Sequence, residues 1–363
     1  MQDATQEPTP RALGYRMPAE WEPHQATWLA WPHNCDDWPG KFAAIPWLYA
    51  EIVRLLAARE RVQLVVEDAR MEQRVTGILR RAHANLHNAS FHTWPTDRGW
   101  TRDSGPIFLR NANGQAAIAN WKFNAWAKYD DWHLDDQLPG RVAGLLGVPE
   151  WQPAIEVNGE MRRVVLEGGS IDSNGAGVLL TTEECLLSEV QQRNPGVSRA
   201  QLEQVFSDYL GIDRVIWLHR GIAGDDTHGH IDDIARFAGP STIVAAVEPD
   251  RRDANHEPLA ENLDRLKAAR TPAGRQFDVI ELPMPRPVLF CRRRVPASYA
   301  NFYIANGLVL VPTFHDPNDR VALNLLAEAF PDREAIGIHS VDLIWGLGAL
   351  HCMTQQQPAT EGF

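Results

Sequence analysis

The chain has 363 residues, of which 44% are hydrophobic and 23% charged, and this length can bury a large core in one big domain or two ordinary ones. Acidic side chains outnumber basic ones, 47 to 35, and the resulting net charge of -12 argues against a nucleic-acid partner or an anionic membrane surface. The sequence also lacks a run of about 18 apolar residues, so it predicts no membrane span.

The start of the chain and its cysteines indicate the compartment. Residues 1–16 are polar and contain no apolar segment of the kind found in a secretory signal, so we predict a flexible tail there. The four cysteines, Cys35, Cys185, Cys291 and Cys352, are scattered without paired spacing. This spacing is typical of free thiols in a reducing compartment rather than of a disulfide framework, so we predict a cytoplasmic protein.

Short apolar strands alternate with amphipathic helices along the chain. The first strand is predicted at residues 26–31 and the first helix at 42–58, where Pro46 is tolerated only in the first turn. Further helices are predicted at residues 71–82, 199–210, 258–269 and 319–330, and further strands at 62–66, 214–218, 279–282, 307–311 and 335–339. This alternation indicates an α/β protein.

A repeat of turn signals divides the chain into modules. Asn-Gly pairs at residues 113–114, 174–175 and 306–307 are typical of hairpin turns, and each precedes a short apolar strand. A Gly-Pro turn at residues 239–240 fills the gap between the second and the third pair. Since these turns recur about every 65 residues, we predict about five modules, each with a hairpin, a helix and a further strand.

Reactive side chains occupy corresponding places in these modules, shortly before each turn. Module by module they are Asp103; Glu167; His230 with Asp232; and Tyr299 with Asn301. In a ring of modules such as a propeller, equivalent positions converge on one axis, so these clusters would form a single site. The alternative is an open α/β sheet on which the clusters are unrelated surface loops.

Two acids are distinguished by their surroundings. Asp103 lies between Trp100 and a Gly-Pro pair, where a carboxylate can meet a planar cation beside the indole. The alternative is a surface ion pair between Asp103 and its neighbour Arg102. Glu167 follows three apolar residues and precedes two glycines, so we expect it to be partly buried and therefore paired or functional. Its alternative role is to hold a backbone amide.

The densest cluster of polar residues is the segment 224–233, with two histidines and four carboxylates. If the chain is extended from His228 onward, His228, His230 and Asp232 lie on one face of a strand. This pattern supports acid–base chemistry on a cationic substrate, or a metal-dependent hydrolase that uses the same three side chains. A solvated acidic loop is the third alternative. The metal hypothesis is the weaker one because the sequence lacks a further ligand cluster with matching spacing.

Cys352 is the candidate nucleophile. Gly346, Gly348 and Ala349 clear space directly ahead of it, and a thiol on a crowded glycine turn that faces a distant imidazole is suited to nucleophilic catalysis. The alternative is that Cys352 only packs in the core and has no chemical role, as is usual for a lone cysteine.

Four segments carry a resemblance when they are taken together. They read Trp-Thr-Arg-Asp at residues 100–103, Glu-Gly-Gly-Ser at 167–170, Gly-His-Ile-Asp at 229–232 and His-Cys-Met-Thr-Gln-Gln at 351–356. In this order they resemble the agmatine deiminase / bacterial-type peptidyl-arginine deiminase family of guanidine-modifying enzymes, and the similarity extends over residues 17–358. The resemblance implies a single catalytic domain over residues 17–363 with a five-bladed pseudosymmetric α/β propeller, the pentein fold, which agrees with the repeat.

The resemblance also implies a role for each matched residue. Cys352 corresponds to the nucleophile that attacks the guanidinium carbon, which releases ammonia and leaves an amidino-cysteine that water then hydrolyses. His230 corresponds to the group that protonates the ammonia and later activates the water. Asp103 and Asp232 correspond to carboxylates that bracket the guanidinium nitrogens, and Glu167 to the acid that orients the histidine. No metal or organic cofactor is implied, because positioning supplies the catalysis.

The surrounding residues bear on the substrate, a small cationic guanidine. We expect Trp100, Asp226 and His228 to bind it. The resemblance implies conversion of agmatine and water to N-carbamoylputrescine and ammonia, a step of polyamine synthesis. His228, Leu347 and Ala349 depart from the agmatine-specific pattern, so deimination of peptidyl-arginine or of another small guanidine is the alternative. A non-catalytic ligand-binding propeller is a further alternative, and the oligomeric state is open, with a homodimer as one option.

Overall fold

Helices separate the strands at regular intervals in the structure, a computed structural model that describes residues 8–360. The five helices predicted from the sequence are present, and Pro46 lies in the first turn of its helix as expected. In this part of the chain the α-helices are α1 (Ile45–Ala57), α2 (Ala69–Arg81), α3 (Thr101–Ser104), α4 (Leu138–Leu146), α5 (Glu183–Leu187), α6 (Arg199–Leu210), α7 (His256–Ala268) and α8 (Asn318–Ala329).

The strands are short and numerous, and those predicted from the sequence are present among them. In chain order they are β1 (Tyr15–Arg16), β2 (His24–Ala30), β3 (Arg61–Val66), β4 (Ala89–Thr93), β5 (Ile107–Asn111), β6 (Ala116–Ala119), β7 (Glu150–Trp151), β8 (Ala154–Val157), β9 (Glu160–Arg163), β10 (Asp172–Ser173), β11 (Val178–Thr182), β12 (Arg214–Leu218), β13 (Ala235–Gly239), β14 (Thr242–Val247), β15 (Asp278–Pro283), β16 (Leu289–Phe290), β17 (Arg293–Arg294), β18 (Tyr303–Ala305), β19 (Leu308–Thr313), β20 (Glu334–His339) and β21 (Gln355–Pro358).

Five of the sheets share one topology, which confirms the predicted α/β class and the repeated module. Each contains an antiparallel pair followed by a parallel strand: β5-β6-β7, β10-β11-β12, β13-β14-β15, β18-β19-β20 and β21-β2-β3. β1 extends the first of these sheets and β4 the last. The last sheet pairs strands from both ends of the chain, because β21 binds β2.

A helix connects the second and third strand of each module, since a parallel pair requires a crossover. α1, α4, α7 and α8 fill this position in their modules, and α5 with α6 fill it between β11 and β12. The helices dock through apolar side chains spaced three and four residues apart; in α1, for example, Tyr49, Ile52, Val53 and Leu56 are buried. Apolar clusters between helices and sheets thereby hold the modules in place.

The segment after His228 is not extended, so the condition under which His228, His230 and Asp232 would share one face of a strand is not met. His228 has a φ of 64° and Gly229 a φ of 91°, so the chain turns in the left-handed region there. The Asp225 carboxylate holds this turn because it accepts the backbone N–H of Gly229 at 2.6 Å. One 3-10 turn (Ile231–Asp233) follows, and β13 begins only at Ala235.

Part of the predicted N-terminal tail has defined contacts. Arg11 donates hydrogen bonds to Ser207 at 2.7 Å and to Asp213 at 2.6 Å, and β1 pairs with β5. Residues 1–7 of that tail lie outside the described residues. The four cysteines are free thiols, as predicted. Within residues 8–360 the structure contains no helix that is both long and apolar enough to cross a membrane.

Candidate active site

The candidate catalytic residues lie in equivalent places, each shortly before the first strand of a module. Asp103 lies in α3 before β5, Glu167 precedes β10, and His230 and Asp232 precede β13. Cys352 precedes β21, the strand that completes the fifth module. All five side chains are buried, and the contacts below connect them in one cluster.

A pocket with a volume of about 360 Å³ opens beside this cluster. Trp100, Asp103, Trp126, Leu347 and Cys352 form part of its wall. Apolar walls with a few polar groups at the base are typical of small-molecule sites. The expected position of Trp100 in the pocket wall is therefore observed.

The thiol of Cys352 is surrounded by carboxyl groups. Its Sγ lies 3.6 Å from Asp232 Oδ2. Burial raises the pKa of the Cys352 thiol well above its ordinary value, and the negative charges of Asp232, Asp233 and Asp103 raise it further. Without a bound cation Cys352 is therefore a neutral thiol.

Asp232 and Asp103 differ in their protonation behaviour. Burial opposes ionisation of Asp232, but His351 Nδ1, which contacts its Oδ2 at 2.7 Å, outweighs burial and lowers its pKa. Asp103 accepts hydrogen bonds from the indole N–H of Trp126 at 2.9 Å and from the backbone N–H of Gly169 at 3.0 Å. Burial nevertheless raises the pKa of Asp103 to about 6. Both carboxylates are thus mainly ionised at neutral pH.

His230 lies between two acids. Its Nδ1 is 3.8 Å from Asp103 Oδ1 and its Nε2 is 3.7 Å from Glu167 Oε2. Burial alone disfavours the imidazolium, but Asp103, Cys185 and Glu167 outweigh burial and raise the pKa of His230 well above its ordinary value. His230 is therefore protonated at neutral pH and can act as a proton donor.

Glu167 is kept ionised by a buried arginine. Arg193 Nε donates to Glu167 Oε1 at 3.0 Å, and both side chains are fully buried. Burial favours a neutral carboxyl group, yet Arg193 and His230 outweigh burial and lower the pKa of Glu167 to about 2. The remaining guanidinium nitrogens of Arg193 donate to the carbonyls of Gln191 at 2.9 Å and Thr227 at 2.6 Å, so its position is fixed.

Two glycines allow the site to close around its reactive groups. A Cβ added to Gly169 would lie 2.6 Å from His230 Nδ1 and 2.7 Å from Asp103 Oδ1. A Cβ on Gly348 would lie 2.7 Å from the Trp100 ring and 3.0 Å from Cys352 Cβ. The shortest contact at each position is below 3.0 Å, which real Cβ atoms essentially never show, so a side chain at either position would force its neighbours to move.

The wall of the pocket also contains a carboxylate that already has cationic partners. Asp226 lines the pocket, accepts the hydroxyl of Tyr129 at 2.7 Å and forms an ion pair with Lys128. The guanidinium of Arg293, which also lines the pocket, lies 3.6 Å from the same carboxylate. Asp226, which we predicted to bind the substrate, therefore lines the pocket. A cationic ligand would have to compete with Lys128 and Arg293 for its carboxylate.

His228 is a predicted site residue that neither lines the pocket nor contacts the buried cluster through an ion pair or a hydrogen bond. Its left-handed backbone directs the ring to Ser188 Oγ at 3.2 Å and Glu184 at 3.9 Å. The ligand atoms of His228, His230 and Asp232 do not lie within 4.8 Å of one another, so these three side chains do not form the metal site of the alternative hypothesis. Within the described residues, the group whose ligand atoms lie within 4.8 Å of one another is Glu167, Cys185 and His230.

Three residues of the site were not predicted as functional: Trp126, Arg193 and His351. His351 lies in one of the four segments that carry the resemblance, and Trp126 lies within residues 17–358, over which the similarity extends. The resemblance could therefore have pointed to both residues. His351 contacts Asp232 and, through Nε2, Glu20 at 2.8 Å. The isolated sequence gives no comparable signal for Arg193, because its partner Glu167 is 26 residues away.

Comparison with known proteins agrees with this geometry. Residues 16–358 match the family profile of Porphyromonas-type peptidyl-arginine deiminase. The chain is 35% identical to the agmatine deiminase of Pseudomonas syringae pv. syringae over 376 residues, which covers 97% of each chain. The solved agmatine deiminase of Enterococcus faecalis is similar with a TM-score of 0.87 and 30% identity, covering 97% of this chain and 98% of that one.

The agmatine deiminase of C. jejuni, solved with substrate bound, is also similar, with a TM-score of 0.82 and 29% identity over 95% of this chain and 97% of that one. These similarities extend over nearly the whole chain and include every module that contributes to the pocket. By its sequence, its fold and the residues assembled at its buried cluster, this chain belongs to the Porphyromonas-type peptidyl-arginine deiminase family.

Proposed function

We propose that this protein hydrolyses agmatine to N-carbamoylputrescine and ammonia through a covalent intermediate on Cys352. One observation carries the proposal: the thiol of Cys352, the imidazolium of His230 and two ionised carboxylates from three modules form one buried cluster, and Cys352 and Asp103 of this cluster line the pocket. The names of the similar enzymes support agmatine as the substrate.

The buried acceptors of the cluster suit a guanidinium. Asp232 Oδ1 and Glu167 Oε2 have no hydrogen-bond partner among the described residues. A buried acceptor without a donor costs about 1–3 kcal/mol, so these atoms favour a ligand that supplies N–H groups. A planar guanidinium held between Asp103 and Asp232 would supply them in the required fork geometry.

The proposed reaction has two stages. In the first, the thiolate of Cys352 forms a bond to the guanidinium carbon, His230 transfers its proton to one amino group, and ammonia leaves. In the second, water attacks the amidino carbon and gives one proton to the now neutral His230; the C–S bond breaks to return the thiolate, and the second proton of the water is released as the ureido carbonyl forms and is taken up by the ammonia. The balance is one guanidinium and one water consumed, and one ureido group and one ammonium ion formed.

Binding of the substrate is proposed to activate the thiol. The charges of Asp232, Asp233 and Asp103 keep the thiol protonated in the free enzyme, since they and burial raise its pKa. A bound guanidinium cation offsets those charges, so the thiol releases its proton to solvent when the substrate arrives. Glu167, held ionised by Arg193, keeps His230 charged for the following step.

Asp226 is proposed to receive the terminal ammonium of agmatine. Its carboxylate lines the same pocket as Cys352, and its side chain is 12% exposed. In the free protein Lys128 and Tyr129 occupy this carboxylate. The substrate ammonium would therefore displace Lys128, while Trp100 and Trp126 pack beside the chain of the ligand.

We further propose that the five modules close into a pseudosymmetric five-bladed propeller with the pocket at its axis, as one catalytic domain over residues 17–363. The repeated topology of the five sheets and the pairing of β21 with β2 support this arrangement. The proposed setting is the cytoplasm, where the thiol of Cys352 stays reduced, and the proposed product serves putrescine and polyamine synthesis.

One observation favours a second candidate, the deimination of arginine or of an arginyl peptide. Arg293 lines the pocket with 55% of its side chain exposed, and Arg98 lines it as well. Either cation can pair with a carboxylate or a backbone carbonyl on the substrate, groups that agmatine lacks.

Ureido product and ammonia should be measured with agmatine, free arginine and an arginyl peptide. We expect turnover of agmatine, no turnover by Cys352→Ala, and an acid-trapped amidino adduct on Cys352 in the wild type. A preference for the peptide would favour the second candidate. Failure of the wild type to convert agmatine would refute the first.

A further inference from the structure

His351, the residue before Cys352, connects two buried carboxylates. Its Nδ1 contacts Asp232 Oδ2 at 2.7 Å and its Nε2 contacts Glu20 Oε2 at 2.8 Å. At most 3% of each of these three side chains is exposed. Asp232 precedes β13 of the third module, whereas Glu20 and His351 belong to the fifth, so the imidazole joins two modules at the buried cluster.

Glu20 is held in place by other buried groups. Its Oε1 accepts the backbone N–H of Ile304 at 2.8 Å. Its Oε2 lies 2.9 Å from Nη2 of Arg236 and 3.2 Å from Nη2 of Arg102. Burial opposes ionisation of Glu20, but Arg236, His351 and Arg102 outweigh burial and lower its pKa well below the ordinary value. Glu20 is therefore an ionised and fixed partner for Nε2 of His351.

The partners of the imidazole determine where its hydrogens are. An ionised carboxylate only accepts hydrogen bonds, so a ring nitrogen at hydrogen-bond distance from one carries a hydrogen. Both ring nitrogens of His351 face such a carboxylate, Asp232 on one side and Glu20 on the other. Nδ1 consequently donates to Asp232, and the contact with Glu20 prevents the ring from turning away.

This hydrogen bond decides what Asp232 can offer a substrate. Nδ1 of His351 occupies Oδ2, whereas Oδ1 is buried and has no hydrogen-bond partner among the described residues. Burial is the largest influence on the pKa of Asp232 and raises it, and the hydrogen bond from His351 is the largest influence that lowers it. Removal of this donor therefore shifts Asp232 toward its protonated form, which cannot pair with a guanidinium as an anion.

Other ionisable groups also face Asp232. They are His230, Arg236, Asp103, Asp233 and Cys352. The two cations favour the ionised form of Asp232, but each lowers its pKa less than His351 does. The two acids and the thiol do not favour a further negative charge. His351 is thus the partner whose loss changes the charge of Asp232 most.

We propose that His351, fixed by Glu20, is a positioning residue, which holds one oxygen of Asp232 and thereby presents the other oxygen of the ionised carboxylate to the guanidinium. The inference rests on the proposed function for the reaction itself. His351 does not line the pocket, and it neither gives nor takes a proton in the reaction. The bonds that form and break are those of Cys352, His230 and the substrate.

The test uses two amides that each replace one end of the imidazole. The amide nitrogen of asparagine lies near the place of Nδ1 and still donates to Asp232, whereas that of glutamine extends toward the place of Nε2 and Glu20. We expect His351→Gln to lower kcat/KM for agmatine at about pH 7 by about 10- to 100-fold, as for the loss of one hydrogen bond to a charged group. His351→Asn should stay within about fivefold of the wild type, because it keeps a donor and loses only the charge.

The pH profile separates positioning of Asp232 from a general effect on the fold. Since Asp232 must be ionised to bind the guanidinium, the loss in His351→Gln should deepen as pH falls from about 8.5 to about 6, where a larger share of Asp232 is protonated. The ratio of wild-type kcat/KM to that of His351→Asn should change much less over the same range.

Alkylation of Cys352 by iodoacetamide gives a second readout, which needs no substrate. Burial raises the pKa of the Cys352 thiol, and the charge of Asp232, whose Oδ2 lies 3.6 Å from the sulfur, raises it further. Once Asp232 is protonated this charge is absent, so in His351→Gln the alkylation profile should move about one pH unit lower. The buried Cys185 is the reference in the same molecule, because it reacts only if the fold opens.

His24→Gln is the matched control. His24 is also buried, with its Nδ1 3.5 Å from a carboxylate oxygen of Glu60 and its Nε2 2.6 Å from the backbone carbonyl of Glu20. It does not line the pocket, so we expect both kcat/KM and the alkylation profile of Cys352 to remain those of the wild type.

Two results would overturn the inference: equal kcat/KM for His351→Gln and His351→Asn across the pH range, or a wild-type alkylation profile of Cys352 in His351→Gln. If Cys185 also reacts in His351→Gln, that variant has opened and His351→Asn decides, since a loss well beyond fivefold or a shifted profile in the folded asparagine variant contradicts the proposal. If the wild type does not convert agmatine, the proposed function fails, but the alkylation profiles still decide the role of His351.

Discussion

Gly169→Ala tests how closely the catalytic groups depend on one backbone position. Gly169 lies in the 3-10 turn Gly168–Ser170, where its backbone N–H binds Asp103. The added methyl group would lie 2.6 Å from His230 Nδ1, 2.7 Å from Asp103 Oδ1 and 3.1 Å from Asp232 Oδ2. Ordinary contact begins at 3.4 Å, so at least two of the three reacting side chains must move.

The size of that movement sets the expected effect. Relief of the closest contact requires a displacement of about 0.8 Å, and a misplacement of about 1 Å in an active site costs about 100-fold in rate. We therefore expect kcat/KM to fall about 100-fold, which corresponds to about 2.7 kcal/mol of transition-state stabilisation. Overpacking of a filled interior typically costs about 1–3 kcal/mol, so we also expect the free energy of unfolding to fall by that amount.

The assay combines ammonia release from agmatine with urea unfolding of the same samples. Gly144→Ala is the control, because Gly144 lies inside α4 and its added methyl group would meet nothing within 4 Å. Replacing a helical glycine by alanine typically raises stability by about 0.5–1 kcal/mol, so this variant should be fully active and slightly more stable.

Two results would refute the reasoning for Gly169. Activity within about threefold of the wild type would show that the turn yields without disturbing His230 and Asp103. A loss of activity that merely follows the unfolded fraction, and returns at lower temperature, would assign the effect to stability alone.

Three further predictions concern charges around the cluster. Lys128→Met should lower KM for agmatine by about two- to fivefold, because it frees Asp226 from an ion pair worth up to about 1 kcal/mol, and it should not change KM for butylguanidine. Arg193→Met should cost about 3–5 kcal/mol of stability at pH 7, because it leaves Glu167 buried without its cation. In the wild type, ionised Glu167 stabilises the fold above the ordinary carboxyl pKa, and this contribution is lost as pH falls toward about 2. The difference in free energy of unfolding between the wild type and Arg193→Met should therefore shrink in acid. Alkylation of Cys352 by neutral iodoacetamide should rise with pH beyond about 8.5, because burial and nearby acids raise the pKa of the thiol.

Controls are available for the first two of these predictions. Lys267→Met removes an exposed ion pair with Glu281 and should not affect KM. Arg252→Met removes an exposed partner of Asp250 and should leave stability nearly unchanged. A rise in KM for Lys128→Met, a stable Arg193→Met variant, or a pH-independent alkylation of Cys352 between pH 6 and 8 would each contradict the corresponding prediction.

The local elements of the fold could be read from the sequence because their causes are local. Turn signals such as Asn174 with Gly175 fix where a hairpin reverses, and apolar residues at helical spacing identify α6 to the residue. The segment after His228 departs from the extended conformation considered for it, and the reason is local as well, since the Asp225 carboxylate accepts the backbone N–H of Gly229 and holds a turn. The alternation of side chains along the sequence does not reveal that a nearby carboxylate will accept the backbone N–H groups and prevent an extended strand.

The candidate site was predicted in outline but not in its connections. Cys352, His230, Asp103, Asp232 and Glu167 were identified from their positions in the repeat and from the resemblance. Their proposed roles stay predictions until the variants are measured. The partners of these residues were not identified, because they lie far away in sequence: Arg193 is 26 residues from Glu167, and His351 is 119 from Asp232.

The sequence by itself determined the modules, the class of fold and the reactive side chains, since these depend on short-range patterns and residue types. Only the tertiary structure decided what each side chain meets: Asn301 contacts Cys352 from 51 residues away, and His351 contacts Glu20 from 331. It also decided the protonation states, because burial raises the pKa of Cys352 while Arg193 lowers that of Glu167. The long-range contacts and the protonation states both depend on how the modules pack against one another, and no local stretch of sequence contains that information.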